Sequence, residues 1–254
     1  MSIGAYLILS SAQSGRRGLC VDVCKNAFSE SKVKVFLSEN ENTSTDDEVL
    51  GGLTNVEVVK YASADDAFEK LVSLDEASTD VVLYIANSTQ NLADEIENFK
   101  TVVDTGKINL VRVWSIIDCK MYEMFGKKVA SFVEALSHFA DCVMLSQRSG
   151  VANATINEIV SHFNKQYKPH IIVYMDKFNR VANTFELTID EARRISMLFD
   201  EYDPVDDLDL DEDNLPEEPF SLERKPDPYL EKYQNGQRKN PIPDVSEFVK
   251  LAHQ

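Results

Sequence analysis

The sequence predicts a three-layer α/β fold, a mainly parallel sheet with helices on both faces, followed by an acidic linker and a C-terminal tail. Two observations carry this. Residues 5–9, 80–85, 110–117 and 142–145 are near-continuous apolar runs of strand length, which suit strands buried on both faces of a parallel sheet. Between such runs lie segments of helix length with apolar residues at helical spacing, and strands alternating with helices call for parallel crossovers.

The elements follow in order. Ala5-Tyr6-Leu7-Ile8-Leu9 is the first strand, bounded by Ser10-Ser11. After a polar turn containing Gly15 and Gly18, Leu19, Cys20, Val23, Cys24 and Ala27 mark a helix that runs to about Phe28, and residues 32–37 return as strand. Residues 56–61 are a strand and 63–74 a helix, with Ser63 and Asp66 placed as a capping box. Then come strand 80–85, helix 92–103, strand 110–117, helix 120–137, strand 142–145, helix 155–167 and strand 170–174. A last helix is expected over 188–199, with Thr188 and Glu191 as a second capping box. The expected division is an α/β domain over 1–202, an acidic linker over 203–219 and a tail over 220–254.

Composition narrows the function. A 254-residue chain with 43% apolar residues can bury a sizeable core. Its net charge of −17 argues against nucleic acid and anionic membranes as partners. That charge is concentrated between Asp200 and Glu218, with eleven acidic residues and no Lys or Arg, the composition of a solvated linker. No apolar run approaches the roughly 20 residues that span a bilayer, and Met1-Ser2-Ile3-Gly4 lacks the basic start of a secretory leader, so the expectation is cytoplasmic. Beyond the linker, Tyr229, Leu230, Tyr233, Ile242, Val245 and Phe248 are anchors with which the tail docks on its own domain or on a protein partner.

Cys20, Cys24, Cys119 and Cys142 do not form a disulfide framework. Cys20 and Cys24 share a helix face, where core packing is favoured over a soft-metal site with only two ligands. The four histidines lie on different elements without metal-ligand spacing, Trp114 reads as core, and no activated-serine elbow occurs. No residue is assigned a catalytic or metal-binding role.

A phosphate-binding loop follows the first strand of many nucleotide-binding α/β proteins, and here that position holds Ser10-Ser11-Ala12-Gln13-Ser14-Gly15-Arg16-Arg17. Against G-x-x-x-x-G-K-[ST], Gly15 matches, Arg16 keeps the positive charge, and Arg17 replaces the hydroxyl that should ligate Mg²⁺. The register of the chain resembles the CobW/HypB/UreG-type P-loop GTPases over residues 3–175. That family ends its second strand with Asn-Glu, where this chain has Ser38-Glu39; Ser115-Ile116-Ile117-Asp118 is similar to its Val-Val-Asp strand; Ala140-Asp141 matches the Ala-Asp that introduces its next strand. The departures are chemical. Ile85-Ala86-Asn87-Ser88 lacks the family's strand-end acid, Ser149 stands where the base-reading Asp of Asn-Lys-x-Asp belongs, and Ala62-Ser63-Ala64 lacks the Cys-x-Cys-Cys metal motif.

The resemblance implies a P-loop NTPase-like fold, GTP or another nucleotide as a weakly held ligand, and Gly15, Arg16, Arg17, Glu39 and Asp118 as its binding residues. Each keeps a plainer alternative. Gly15-Arg16-Arg17 is either an anion site with two guanidinium groups or a helix start with solvated arginines. Asp118 either lies near a phosphate or caps the following helix, and the cap is favoured. Glu39, with Glu41, Asp46, Asp47 and Glu48, forms either a hard-metal loop or, as Gly51-Gly52 favours, a solvated one. The implied function is a non-hydrolysing nucleotide-, anion- or protein-binding module, with two alternatives: an active GTP-dependent metallochaperone with substituted motifs, and a small-molecule binding domain at the sheet's C-terminal edge.

Overall fold

The computed structural model describes residues 3–200 and 226–254. The acidic linker expected over 203–219 lies outside the described residues, as do 1–2 and 220–225. Strands β1 (Ile3–Ser10), β2 (Val33–Ser38), β3 (Val56–Tyr61), β4 (Val81–Ile85), β5 (Ile108–Asp118), β6 (Cys142–Ser146) and β7 (Ile171–Tyr174) form one sheet in the order β3-β2-β4-β1-β5-β6-β7, and every pairing is parallel.

The strand order dictates which helix covers which face. Parallel crossovers are right-handed, so connections running one way along a sheet lie on one face and those running back lie on the other. From β1 the chain steps to β2 and β3 through α1 (Arg16–Lys25) and α2 (Thr45–Gly51). It then reverses through α3 (Ala64–Val72), α4 (Leu92–Val103), α5 (Cys119–Phe125), α6 (Ala130–Phe139) and α7 (Asn153–Lys165). The core divides accordingly. Leu19, Cys20, Val23 and Leu50 pack with Ile8, Leu83 and Met144 on one face. Leu71, Ile96, Phe99, Phe132 and Ile159 pack with Leu7, Tyr84 and Val113 on the other. The fold is therefore the three-layer α/β arrangement expected. All four cysteines are free and buried, and Trp114 is core, its indole N–H donating to the Leu187 carbonyl at 3.1 Å.

Four expectations are corrected. Residues 188–199 form no helix; a single 3-10 turn covers Thr184–Thr188 and the chain then runs irregularly. The carboxylate of Asp141, fully buried ahead of β6, accepts from the backbone N–H groups of Arg193 at 2.6 Å and Arg194 at 3.0 Å, and the His138 carbonyl accepts from Ile195 and Ser196. Those bonds take the donors a helix would have used. The helix expected over 120–137 is broken at Gly126, whose φ of 47° ends α5 before a 3-10 turn and α6. The loop containing Asp46, Asp47 and Glu48 is instead α2, closed by a reciprocal capping box between Ser44 and Asp47. At α3, Ser63 accepts from Asp66 N–H as expected, but the Asp66 carboxylate reaches back to Ala62 N–H, one residue before the cap.

The tail docks on its own domain. Near its start Asp227 accepts from Ser196 Oγ at 2.5 Å and meets His138 at 2.8 Å, and the Tyr229 ring lies tilted at 52° against that of Phe139. Further on Arg238 pairs with Asp94 and Glu97 of α4, and Ile242, Val245, Val249 and Ala252, the last two in α8 (Ser246–Ala252), are buried. No helix among the described residues is long and apolar enough to cross a membrane.

Candidate functional site

In open parallel sheets ligand crevices form at the strand C-terminal edge, between neighbouring strands whose following connections leave toward opposite faces. One such pair is β1, which leads into α1, and β4, which leads into α4. A cavity of about 800 Å³ opens there. Its walls are the loop after β1, residues 40–44 after β2, residues 87–92 after β4, and the tail from Ile242 to Lys250. Phe132, Gln147 and Asn179 complete it.

Gly15 adopts a left-handed conformation (φ 85°) that turns the chain from the loop into α1. The Asn179 carboxamide packs over Gly15 and Gly18, where a Cβ at either position would collide with it. Gln147 Nε2 donates to the Gln13 carbonyl at 3.0 Å, tying the segment after β6 to this loop. The hydroxyls of Ser10, Ser11 and Ser14 are buried with no partner among the described residues.

Arg16 and Arg17 are not solvated. Their side chains are 5% and 10% exposed, and each is locked into the protein. Arg16 donates to the Ala86 carbonyl at 2.8 Å, to Ser88 Oγ at 3.0 Å and to Glu41 Oε2 at 2.5 Å. Arg17 donates to the Asn42 carbonyl at 2.6 Å, Asp47 at 3.1 Å and Glu41 Oε2 at 3.0 Å. The other oxygen of Glu41 accepts from Ser88 N–H at 2.6 Å and Ser88 Oγ at 2.9 Å. Burial works to raise the Glu41 carboxyl, but the Arg16 charge and the two Ser88 bonds outweigh it and hold its pKa below the usual range. Asp46, beside this network, is pushed up by burial and by Asp47, against Arg17. Deeper, burial raises the carboxyl of Glu95, which accepts from Asn87 N–H at 2.8 Å and so braces the loop after β4.

Of the five residues singled out in the sequence, Gly15, Arg16 and Arg17 line the cavity, Glu39 is exposed and is not among its lining residues, and Asp118 lies outside its walls. Asp118 does cap α5, accepting from Met121 N–H at 3.0 Å, and its second oxygen meets His253 Nε2 at 2.6 Å. Glu41, Ser88 and His253 are what local spacing missed. Glu41 was one acid among several on a polar segment, and only the need to neutralise two buried arginines marks it. His253 lies 135 positions from Asp118 and has no local signal.

The residues present do not fit a Mg²⁺-bound polyphosphate. Arg17 stands where the metal's hydroxyl ligand is needed, and both arginines already hold carboxylates. Among the described residues no group of three or more His, Cys, Asp or Glu could hold a metal ion.

No protein-family model matches the chain, and no curated protein matches it in sequence. Solved structures do match in fold. The signal recognition particle receptor FtsY from Elizabethkingia anophelis, in complex with GDP, is 15% identical, with a TM-score of 0.53 over 80% of this chain and 65% of that one. FtsY from Mycoplasma mycoides is 14% identical, with a TM-score of 0.50 over 70% of this chain and 62% of that one. The hydrogenase maturation factor HypB from Archaeoglobus fulgidus is 14% identical over 73% of this chain and 86% of that one, at a TM-score of 0.49. The chain thus spans just under two thirds of the two FtsY proteins. At these identities the match concerns the fold alone: the chain has the α/β fold of the P-loop GTPases, and no family within it is singled out.

Proposed function

We infer that this protein is a non-hydrolysing P-loop-fold module of the CobW-like kind, working by binding an anion or a protein partner rather than by turning over nucleotide. The observation that carries this is the engagement of Arg16 and Arg17 by Glu41 and Asp47. Phosphoryl transfer is catalysed by positioned positive charge and a metal that meet the developing negative charge of the transferring group. In this chain the two cations at the loop are neutralised internally, and the residue at the metal position is itself a cation. The docked tail supplies surface for protein partners.

The test is a phosphate-release assay with GTP and ATP, with and without Mg²⁺, beside calorimetric titration of the same nucleotides. The expected result is no Mg²⁺-dependent turnover above background. Saturable, Mg²⁺-dependent hydrolysis lost on Arg16→Ala would sink the reading and favour the active metallochaperone alternative.

A further inference from the structure

The contacts of Glu41 have the form of a receptor holding an anion. One carboxylate is met by two guanidinium groups at 2.5 and 3.0 Å, a backbone N–H at 2.6 Å and a hydroxyl at 2.9 Å. Charged, forked donors together with a backbone amide are the donor set used for oxyanions in general. The donors are also fixed by atoms other than Glu41. Arg16 is held by the Ala86 carbonyl and Ser88 Oγ, Arg17 by the Asn42 carbonyl and Asp47, and Ser88 follows the turn braced by Glu95. Removing Glu41 therefore leaves the receptor standing, with Arg16, Arg17 and Lys60 facing the carboxylates of Asp47 and the neighbouring Asp46, an excess of positive charge in a largely buried place.

Glu41 itself sits between β2 and α2, in neither, on the stretch of residues 40–44 that lines the 800 Å³ cavity. Its carboxylate can swing into that space without unfolding a helix or strand. An anion tethered through a short segment competes at millimolar or higher effective concentration, so an external ion meets a site already filled.

We propose that the start of α1 and the turn after β4 form a binding site for a small oxyanion, and that Glu41 is its internal, displaceable ligand. This rests on the non-hydrolysing reading above and gives that site its ligand class and its regulation: a phosphate or carboxylate takes the place of the Glu41 carboxylate, which turns into the cavity while Arg17 keeps the Asn42 carbonyl and Asp47.

The experiment measures the thermal midpoint and calorimetric binding of wild type, Glu41→Ala and Glu41→Ala/Arg16→Met with inorganic phosphate and with acetate, against sodium chloride at matched ionic strength. Glu41→Ala is expected to be destabilised and restored by millimolar phosphate, binding it at least tenfold more tightly than wild type. Adding Arg16→Met is expected to abolish the response. Acetate acting as well as phosphate identifies a carboxylate site; phosphate alone identifies a phosphate site. If Glu41→Ala is too unstable to purify, Glu41→Ser carries the same test, since its short side chain also removes the charge and leaves the receptor open. A folded variant indifferent to both anions overturns the proposal while leaving the non-hydrolysing reading intact. GTP turnover by wild type overturns that reading without touching the phosphate response of the variants.

Discussion

Asp141→Asn is the substitution on which the account of the fold is most exposed. Asp141 is fully buried, and all its partners are donors: Val113 N–H at 2.7 Å on one oxygen, Arg193 N–H at 2.6 Å and Arg194 N–H at 3.0 Å on the other, with the Arg194 guanidinium 3.2 Å from the first. An asparagine offers one acceptor and one NH₂ group, so whichever way it turns, its NH₂ faces an N–H. Losing one bond to a charged acceptor costs about 1.5–3 kcal/mol. Arg194, 5% exposed, also loses this counter-charge and, among the described residues, keeps Asp200. Breaking a buried pair on one side costs about 3–5 kcal/mol in all. For a chain of this size that lowers the thermal midpoint by roughly 6–20 °C. Urea unfolding followed by the fluorescence of Trp114, the sole tryptophan, measures it. A midpoint shift at unchanged m-value is expected. A variant within about 1 kcal/mol of wild type would refute the claim that Asp141, rather than sequence propensity, sets the path of residues 193–196.

Two further outcomes follow from burial. His170 is buried against the Phe163 ring, and burial, with Lys168 nearby, lowers its pKa to about 4. Between that value and the unfolded value near 6.5 only the unfolded chain takes the proton, so stability present above pH 6.5 is lost as the pH falls toward 4, by at most about 3 kcal/mol; urea midpoints across that range should fall less steeply in His170→Leu, and identical slopes would sink the assignment. Burial raises the thiols of Cys24, Cys119 and Cys142 to about 12 and that of Cys20 well above its ordinary value, so iodoacetamide at pH 8 should label the native chain no faster than it unfolds. Rapid native labelling of any of the four would count against their place in the core.

What the sequence disclosed is what is written locally. The strands of the sheet centre are read from runs such as Val81–Ile85, because burial on both faces leaves no room for polar residues. The start of α1 is likewise visible, since Gly15 is needed where φ is positive. The missing helix at 188–199 shows the limit: Thr188 and Glu191 match a capping box, but Asp141, about fifty residues earlier, takes the backbone donors instead. The helix α2 was hidden by the opposite error, because its acids read as solvated charge when Asp47 is a cap and a partner of Arg17. At the site, Arg16 and Arg17 were legible as cations, but that their charge is spent was not, because Glu41 lies 24 to 25 positions away and is joined to them only by the fold.

The tail's place in the cavity wall also orders events in time. Leu92 and Phe132 line the cavity together with Ile242, Val245 and Val249. During synthesis at about 5–20 residues per second, the β1–β4 crevice exists for roughly 10–30 s before residues 242–250 arrive to cover it. In that interval the nascent domain exposes an apolar shelf beside the Glu41 network. A chaperone or a partner chain reaching the shelf first would compete with the protein's own α8 for the same ground.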